Sequence, residues 1–317
     1  MPADQRIAAA TGTPRDPSQA PTYSVYGAAW SGWAFVAVAL TLLGIFVIGP
    51  FIMSLGLSFT NQRLVQNPNV PVQWIGLRNY VRLFEDPEFW NALKNTALFA
   101  LIVVPIQSAL SLSLAMLINS SLPGRNVFRT IYFLPVIITM TIICVIWGAL
   151  YIFPGGALNS ALSWLTFGAL DPVNWLGDRN FALAAIILCS IWASVGFQMV
   201  IYLAGLQNIP EELYEAARLD EASGWQQFKW ITMPMLRPTH VFVLIATTIF
   251  CFKLFTQVQI LTQGGPRGAT NTLVRYIYVN GFSELRVGYA SAATVVFLLI
   301  VLAIAMIQRA IVGTDEA

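Results

Sequence analysis

Asn208-Ile-Pro-Glu-Glu-Leu-Tyr-Glu-Ala-Ala-Arg-Leu-Asp-Glu-Ala-Ser-Gly-Trp225 opens the most charged interval of the chain, which continues through Ile231-Thr232-Met233-Pro234 to Pro238 and holds five carboxylates and three basic side chains. Very apolar runs flank it on both sides. It is therefore a polar element held between two membrane segments, a handle on the membrane domain from outside.

The composition agrees. Of 317 residues, 57 % are hydrophobic and 10 % charged, and the mean hydropathy is +0.67. That excludes an ordinary soluble protein and leaves a polytopic membrane protein. A net charge of +2 is too small for a nucleic-acid surface. Cys144, Cys189 and Cys251 lie in apolar runs without ligand spacing and read as small buried residues. With His240 as the one histidine, a histidine-based catalytic or metal cluster within the chain is excluded. Residues 1–29, rich in Ala, Pro, Thr, Ser and Gln, read as a disordered tail rather than a cleaved leader, because the first apolar run starts late and is long enough to span.

A spanning helix needs about 20 apolar residues, so the gaps between charges serve as a ruler. Six helices are predicted, at 33–55, 96–118, 131–153, 182–206, 241–261 and 289–311. Helix is the default because a lipid-exposed backbone cannot leave its polar groups unpaired. Gly49-Pro50, Pro105 and Pro135 mark bends that a membrane helix tolerates. Lys and Arg number eight on each side of the membrane, so the positive-inside rule gives a tie. Only the acid-free loop with Arg125 and Arg129 leans toward cytoplasmic termini.

Within the charged interval Asn208 is expected to cap a helix with Pro210, Glu211 and Glu212 in its first turn, where proline fits and carboxylates complement the dipole. Leu213, Ala216, Ala217 and Leu219 follow at helical spacing. Gly224 is expected to end this helix, and a second turn with Trp225, Phe228 and Ile231 leads to Pro234 and Pro238. On periodicity alone this is an amphipathic connector lying on the membrane surface.

The fuller pattern resembles the EAA loop of inner-membrane permease subunits of binding-protein-dependent ABC importers. In that family Glu-Ala-Ala is followed by three residues, Gly, nine residues, Ile, one residue, Leu and Pro. Here Glu215-Ala216-Ala217, Ile231 and Pro234 match, Met233 replaces Leu, and Glu221 stands at the glycine position, with Gly224 available to supply the turn. Further segments resemble the carbohydrate branch, of the maltose, trehalose and glycerol-3-phosphate type. They are Asn95-Thr96, Phe128-Arg129-Thr130-Ile131-Tyr132-Phe133-Leu134-Pro135, Asn174-Trp175-Leu176-Gly177-Asp178, Leu261-Thr262-Gln263-Gly264-Gly265-Pro266, Thr272-Leu273-Val274 and Tyr276-Ile277-Tyr278.

The resemblance implies an all-α, six-span, type I ABC importer permease, with residues 30–312 as the transmembrane domain and 208–238 as its coupling loop. It implies that Glu215, Ala216, Ala217, Asp220, Gly224, Ile231 and Pro234 dock on a cytoplasmic ATPase. The implied partners are a second homologous permease, two ATPase subunits and an extracytoplasmic binding protein received by the loops at 60–94 and 264–286. The setting is a bacterial or archaeal inner membrane. Because the coupling loop shares a side with both termini, the tails, including 313–317, are placed in the cytoplasm.

No Gly-x-x-x-x-Gly-Lys-Ser/Thr loop occurs, so ATP and Mg belong to partner subunits and this chain needs no cofactor. Sugar recognition calls for hydroxyl-compatible groups and an aromatic face at mid-membrane. By depth the candidates are Thr139, Ser190, Ser194, Gln198, Thr247 and Thr248, with Trp147 or Trp192 for stacking. Serine and threonine in spans also bond their own i−4 carbonyl, which would make these structural. Lys253, the one ionisable residue well inside a span, either meets an anionic group or snorkels outward, and His240 reads as interfacial. A self-contained secondary transporter or channel is the rival reading, and the spans lack the carboxylates it would favour.

Overall fold

The computed structural model describes residue 33 and residues 36–66, 71–120 and 124–312. The tails expected at 1–29 and 313–317 lie outside these residues. The chain divides at Met53 into a first unit, which holds most of helix α1 (Val36–Leu57), and a second, Ser54–Ala317. Inside α1 a π-turn at Gly44–Ile48, in which the Gly49 N–H bonds the Gly44 carbonyl, precedes Gly49-Pro50. The wider turn carries the chain into the proline, which has no N–H to offer, without a break.

Described by itself, the second unit is built around α3 (Pro87–Asn119) and α7 (Ala182–Gln207). At 33 residues, or about 50 Å at 1.5 Å per residue, α3 begins well before the expected Thr96. Asp86 explains the extension: its carboxylate accepts from the Glu88 N–H at 2.8 Å and Pro87 occupies the first turn. Pro105 sits inside α3 without ending it. Short helix α2 (Arg78–Glu85) precedes this cap.

The third expected span is corrected. It is two helices, α4 (Arg125–Ile137) and α5 (Met140–Leu150), bent by 100° at a break where Ile138 and Thr139 are extended. Pro135 leaves the Ile131 carbonyl without its i+4 donor but stays helical, and at the break the Ile138 N–H bonds the Pro135 carbonyl rather than that of Leu134. The pair still follows α7. Tyr132 abuts Gly196, and the Tyr151 hydroxyl donates to the Ala185 carbonyl at 2.8 Å. The interval from 185 to 196 on α7 corresponds to about 16 Å.

After α6 (Ala157–Leu165), α7 and α8 (Glu211–Leu219) come α9 (Gly224–Gln227), a π-turn Phe228–Thr232 and a short turn Met233–Met235. The fifth span is also interrupted: α10 (Arg237–Phe252) ends at Lys253 and α11 (Thr256–Leu261) resumes beyond it. Helices α12 (Leu273–Tyr278) and α13 (Val287–Val312) complete the order. Among the described residues five helices are long and apolar enough to cross a membrane, or six if the bent pair is one span.

One apolar cluster joins α3, α7 and α10 through Phe99, Val103, Ile186, Cys251 and Phe252. A second, with Leu112, Met199, Tyr202, Leu206 and Leu236, packs toward the polar interval. All three cysteines are buried, as their settings predicted.

Candidate functional site

Two places concentrate the sequence candidates. In the polar interval α8 carries Glu215 and Ala216 exposed and Ala217 half-buried. Asn208 does not cap it. Asn208 closes α7, and α8 starts at Pro210 without a side-chain cap. Glu211 and Glu212 do occupy the first turn, as the dipole argument requires.

The end of α8 also differs from expectation. The Ala222 N–H bonds the Ala217 carbonyl at 2.9 Å and the Glu221 N–H bonds Arg218 at 3.1 Å, with Asp220 as C-cap. This is a Schellman closure, whose central residue must be left-handed. Glu221 is that residue, at φ 57°. The position therefore wants glycine for its φ, and Gly224 does not take over the turn. Gly224 opens α9, behind a capping box in which Ser223 Oγ accepts from the Gln226 N–H and Gln226 Oε1 accepts from the Ser223 N–H.

The other side of α8 is fastened to the membrane helices. Tyr214 Oη and Thr232 Oγ1 share a hydrogen bond at 2.9 Å. Tyr214, Phe228 and Ile231 pack on the cluster of Met199, Tyr202 and Leu236. Pro234 is exposed beside the π-turn. Leu219 at 86 % and Trp225 at 70 % exposure present apolar surface to water. Arg218 lies 3.9 Å from Glu215 and 4.0 Å from Glu211, exposed pairs of small energetic weight.

At mid-depth a cavity of about 490 Å³ opens between α3, the α4–α5 break, α7 and α10. Ser190, Ser194, Gln198, Thr247 and Lys253 line it together. Gln198, 5 % exposed, bridges three helices, since its Oε1 accepts from Ser111 Oγ at 3.3 Å and its Nε2 donates to Thr247 Oγ1. Ser190 and Thr247 donate to their i−4 carbonyls, Ile186 and Val243, at 2.7 and 2.6 Å. The side chains of Ser194 and Lys253 make no hydrogen bond or ion pair among the described residues.

Four candidates fall elsewhere. Thr139 is exposed at the helix break, and Trp147 is buried against Tyr151 and Trp192. Trp192 is exposed. Thr248 donates to Leu244 and accepts from Gln308 Nε2. His240 is half-buried and shares a 2.7 Å hydrogen bond with Tyr202 rather than facing an interface alone. Gln107 and Gln257 line the cavity and were missed, although Phe99, Val103 and Gln107 recur at a spacing of four along α3. Gln257 Nε2 reaches Ser190 Oγ at 3.4 Å. Phe197 and Phe250 supply the aromatic faces that Trp147 and Trp192 do not.

The two places are mechanically continuous, because α7 and α10 line the cavity and also hold α8. Where they approach, a Cβ on Gly205 would sit 2.7 Å from Thr239 Oγ1.

Residues 69–313 match the family described as binding-protein-dependent transport system inner membrane component. The lactose transport system permease protein LacF of Rhizobium radiobacter is 36 % identical over 282 residues, covering 88 % of this chain and 92 % of that relative. The trehalose/maltose transport system permease protein MalF of Thermococcus litoralis is 34 % identical over 282 residues, covering 89 % and 93 %. A chain from the crystal structure of a bacterial ABC transporter involved in importing the acidic polysaccharide alginate aligns with a TM-score of 0.77 and 26 % identity, covering 91 % and 96 %.

Proposed function

Since the chain belongs to the family of binding-protein-dependent transport system inner membrane components, we propose that it is one of two related permease subunits of an ATP-driven carbohydrate importer. Its part in such a system is the multi-pass, membrane-spanning component, not the ATPase. The rival reading as a self-contained transporter gives way to this family membership.

The observation that carries the proposal is α8, which exposes Glu215 and Ala216 on one side and is fastened through Tyr214 to cavity-lining α7 and α10 on the other. A cytoplasmic ATPase, with ATP and Mg, docks on this helix. Its movement is passed through the Tyr214, Phe228 and Ile231 packing to the two walls. The orientation follows, with coupling helix and both termini cytoplasmic. The cavity, with Ser194 open and Phe197 and Phe250 as apolar faces, suits a sugar's mixture of hydroxyls and C–H surface. Transport of sugars by the named relatives supports this substrate class, and one solved relative is complexed with a periplasmic protein carrying an alginate pentasaccharide.

Reversal of charge in Glu215→Lys is expected to lower substrate-stimulated ATP hydrolysis of the assembled importer by about tenfold, or about 1.4 kcal/mol of coupling, while the permease remains inserted. Normal stimulation would overturn the assignment of α8.

A further inference from the structure

Lys253 is the one charged side chain lining the cavity, and no wall of the cavity balances it. It follows α10 in the short break before α11 and opens on the space between the helices. No Asp or Glu occurs between Glu88 and Asp171, between Asp178 and Glu211 or between Glu221 and Glu284. All the walls fall inside those gaps, so none carries a carboxylate. A cation among membrane helices without a counter-ion is costly, and it marks a place where an anion is met.

Two neutral groups share its state. Most polar side chains of the cavity are already bonded: Ser190 and Thr247 to carbonyls of their own helices, Gln198 to Ser111 and Thr247, and Gln257 Nε2 to Ser190 Oγ at 3.4 Å. The Gln107 amide and the Ser194 hydroxyl, like the Lys253 ammonium, have no hydrogen-bond partner among the described residues. They come from α3, α7 and the end of α10 and line one volume of about 490 Å³, within the roughly 300–1,000 Å³ of small-ligand sites. A ligand that satisfies all three offers an anion and hydroxyls. A neutral sugar would strip water from the ammonium and return only a hydroxyl, whereas an anionic one returns an ion pair where the low dielectric makes it strongest. A carboxylate from a second permease would neutralise the ammonium and leave the amide and the hydroxyl unserved.

We propose that the cargo is an anionic carbohydrate whose carboxylate, sulfonate or phosphate is received by Lys253 while its hydroxyls take Ser194 and Gln107. This rests on the carbohydrate-importer reading above and adds the charge of what is carried.

The first test does not depend on the cargo. In the whole importer, on a Cys251→Ser background, Ser194→Cys is labelled with a sulfonate-bearing methanethiosulfonate and, separately, with its trimethylammonium analogue. The ratio of the two rates, anionic over cationic, should fall about tenfold when Lys253→Gln is added and hold with Lys253→Arg. An unchanged ratio means that the charge is already neutralised and overturns the proposal. So does loss of the second permease from Lys253→Gln on gel filtration, which would make Lys253 a subunit contact. The second test is uptake into proteoliposomes with the binding protein present, scored with matched probes: glucuronosyl-β-1,4-glucose against cellobiose, and glycerol 3-phosphate against glycerol. An acidic member should be carried in preference to its neutral partner, and Lys253→Gln should lower that uptake about tenfold with capture by the binding protein unchanged. Uptake confined to neutral members overturns the proposal and leaves the carbohydrate-importer reading standing. An importer that carries no carbohydrate, acidic or neutral, fails both.

Discussion

The cavity and the coupling helix hold similar numbers of polar side chains and use them in opposite ways. In the cavity they are largely consumed: Ser190 and Thr247 bond their own helices, and Gln198 is spent on Ser111 and Thr247. On α8 and its turn, Glu215, Asp220 and Glu221 face water, with Arg218 as a distant neighbour of Glu215. Solvent explains the difference. A polar group in hydrocarbon without a partner costs several kcal/mol, roughly, so it takes its own backbone first. At the surface water satisfies it at no such cost, and it stays available to a partner protein.

The contrast can be broken most severely at Gly196. A Cβ there would fall 2.0 Å from the Tyr132 carbonyl oxygen, so Gly196→Val should destabilise the bundle by about 3 kcal/mol or more, seen as loss of intact permease on gel filtration. If Gly196→Val assembles normally, the cavity wall is not close-packed. Next, Ser194→Trp should fill the cavity and lower uptake by about tenfold, about 1.4 kcal/mol in the barrier, with assembly unchanged. Unaltered uptake would put Ser194 among the structural serines. A smaller loss, about 1 kcal/mol of stability, is expected for Gln198→Leu, because Ser111 and Thr247 each keep a backbone acceptor. A large loss would mean that the three-helix bridge matters beyond its hydrogen bonds. Smallest, and opposite in sign, Glu221→Gly should relieve the left-handed residue by about 1 kcal/mol. Slower hydrogen exchange at the Ala222 amide would record it, and faster exchange would show that Glu221 makes a needed contact.

Charge spacing was enough to locate the five long apolar helices and the bent pair, because hydrocarbon excludes charge from most of a span. It could not show the break at Ile138, where the residues are as apolar as their neighbours and Pro135 stays helical before the chain turns. Nor could it find the start of α3, since Lys94 ends the apolar run while the helix continues outward to the Asp86 cap. On the coupling loop the departure of Glu221 from glycine was visible, but its meaning lay in a backbone angle that no side-chain pattern carries. For the cavity, looking for hydroxyls and tryptophans picked out groups that bond their own helix and passed over Gln107 and Gln257. Facing direction, which depends on how helices pack, decided these cases.

The glycine contacts of α7 have a mechanical meaning. Gly196 brings its backbone against that of α4, and Gly205 brings it against Thr239 of α10. A side chain at either position would push the neighbouring helix away, so these two glycines set how closely α4 and α10 approach α7. The width of the cavity walled by α7, α10 and the α4–α5 break is thus fixed by two missing side chains as well as by those that line it.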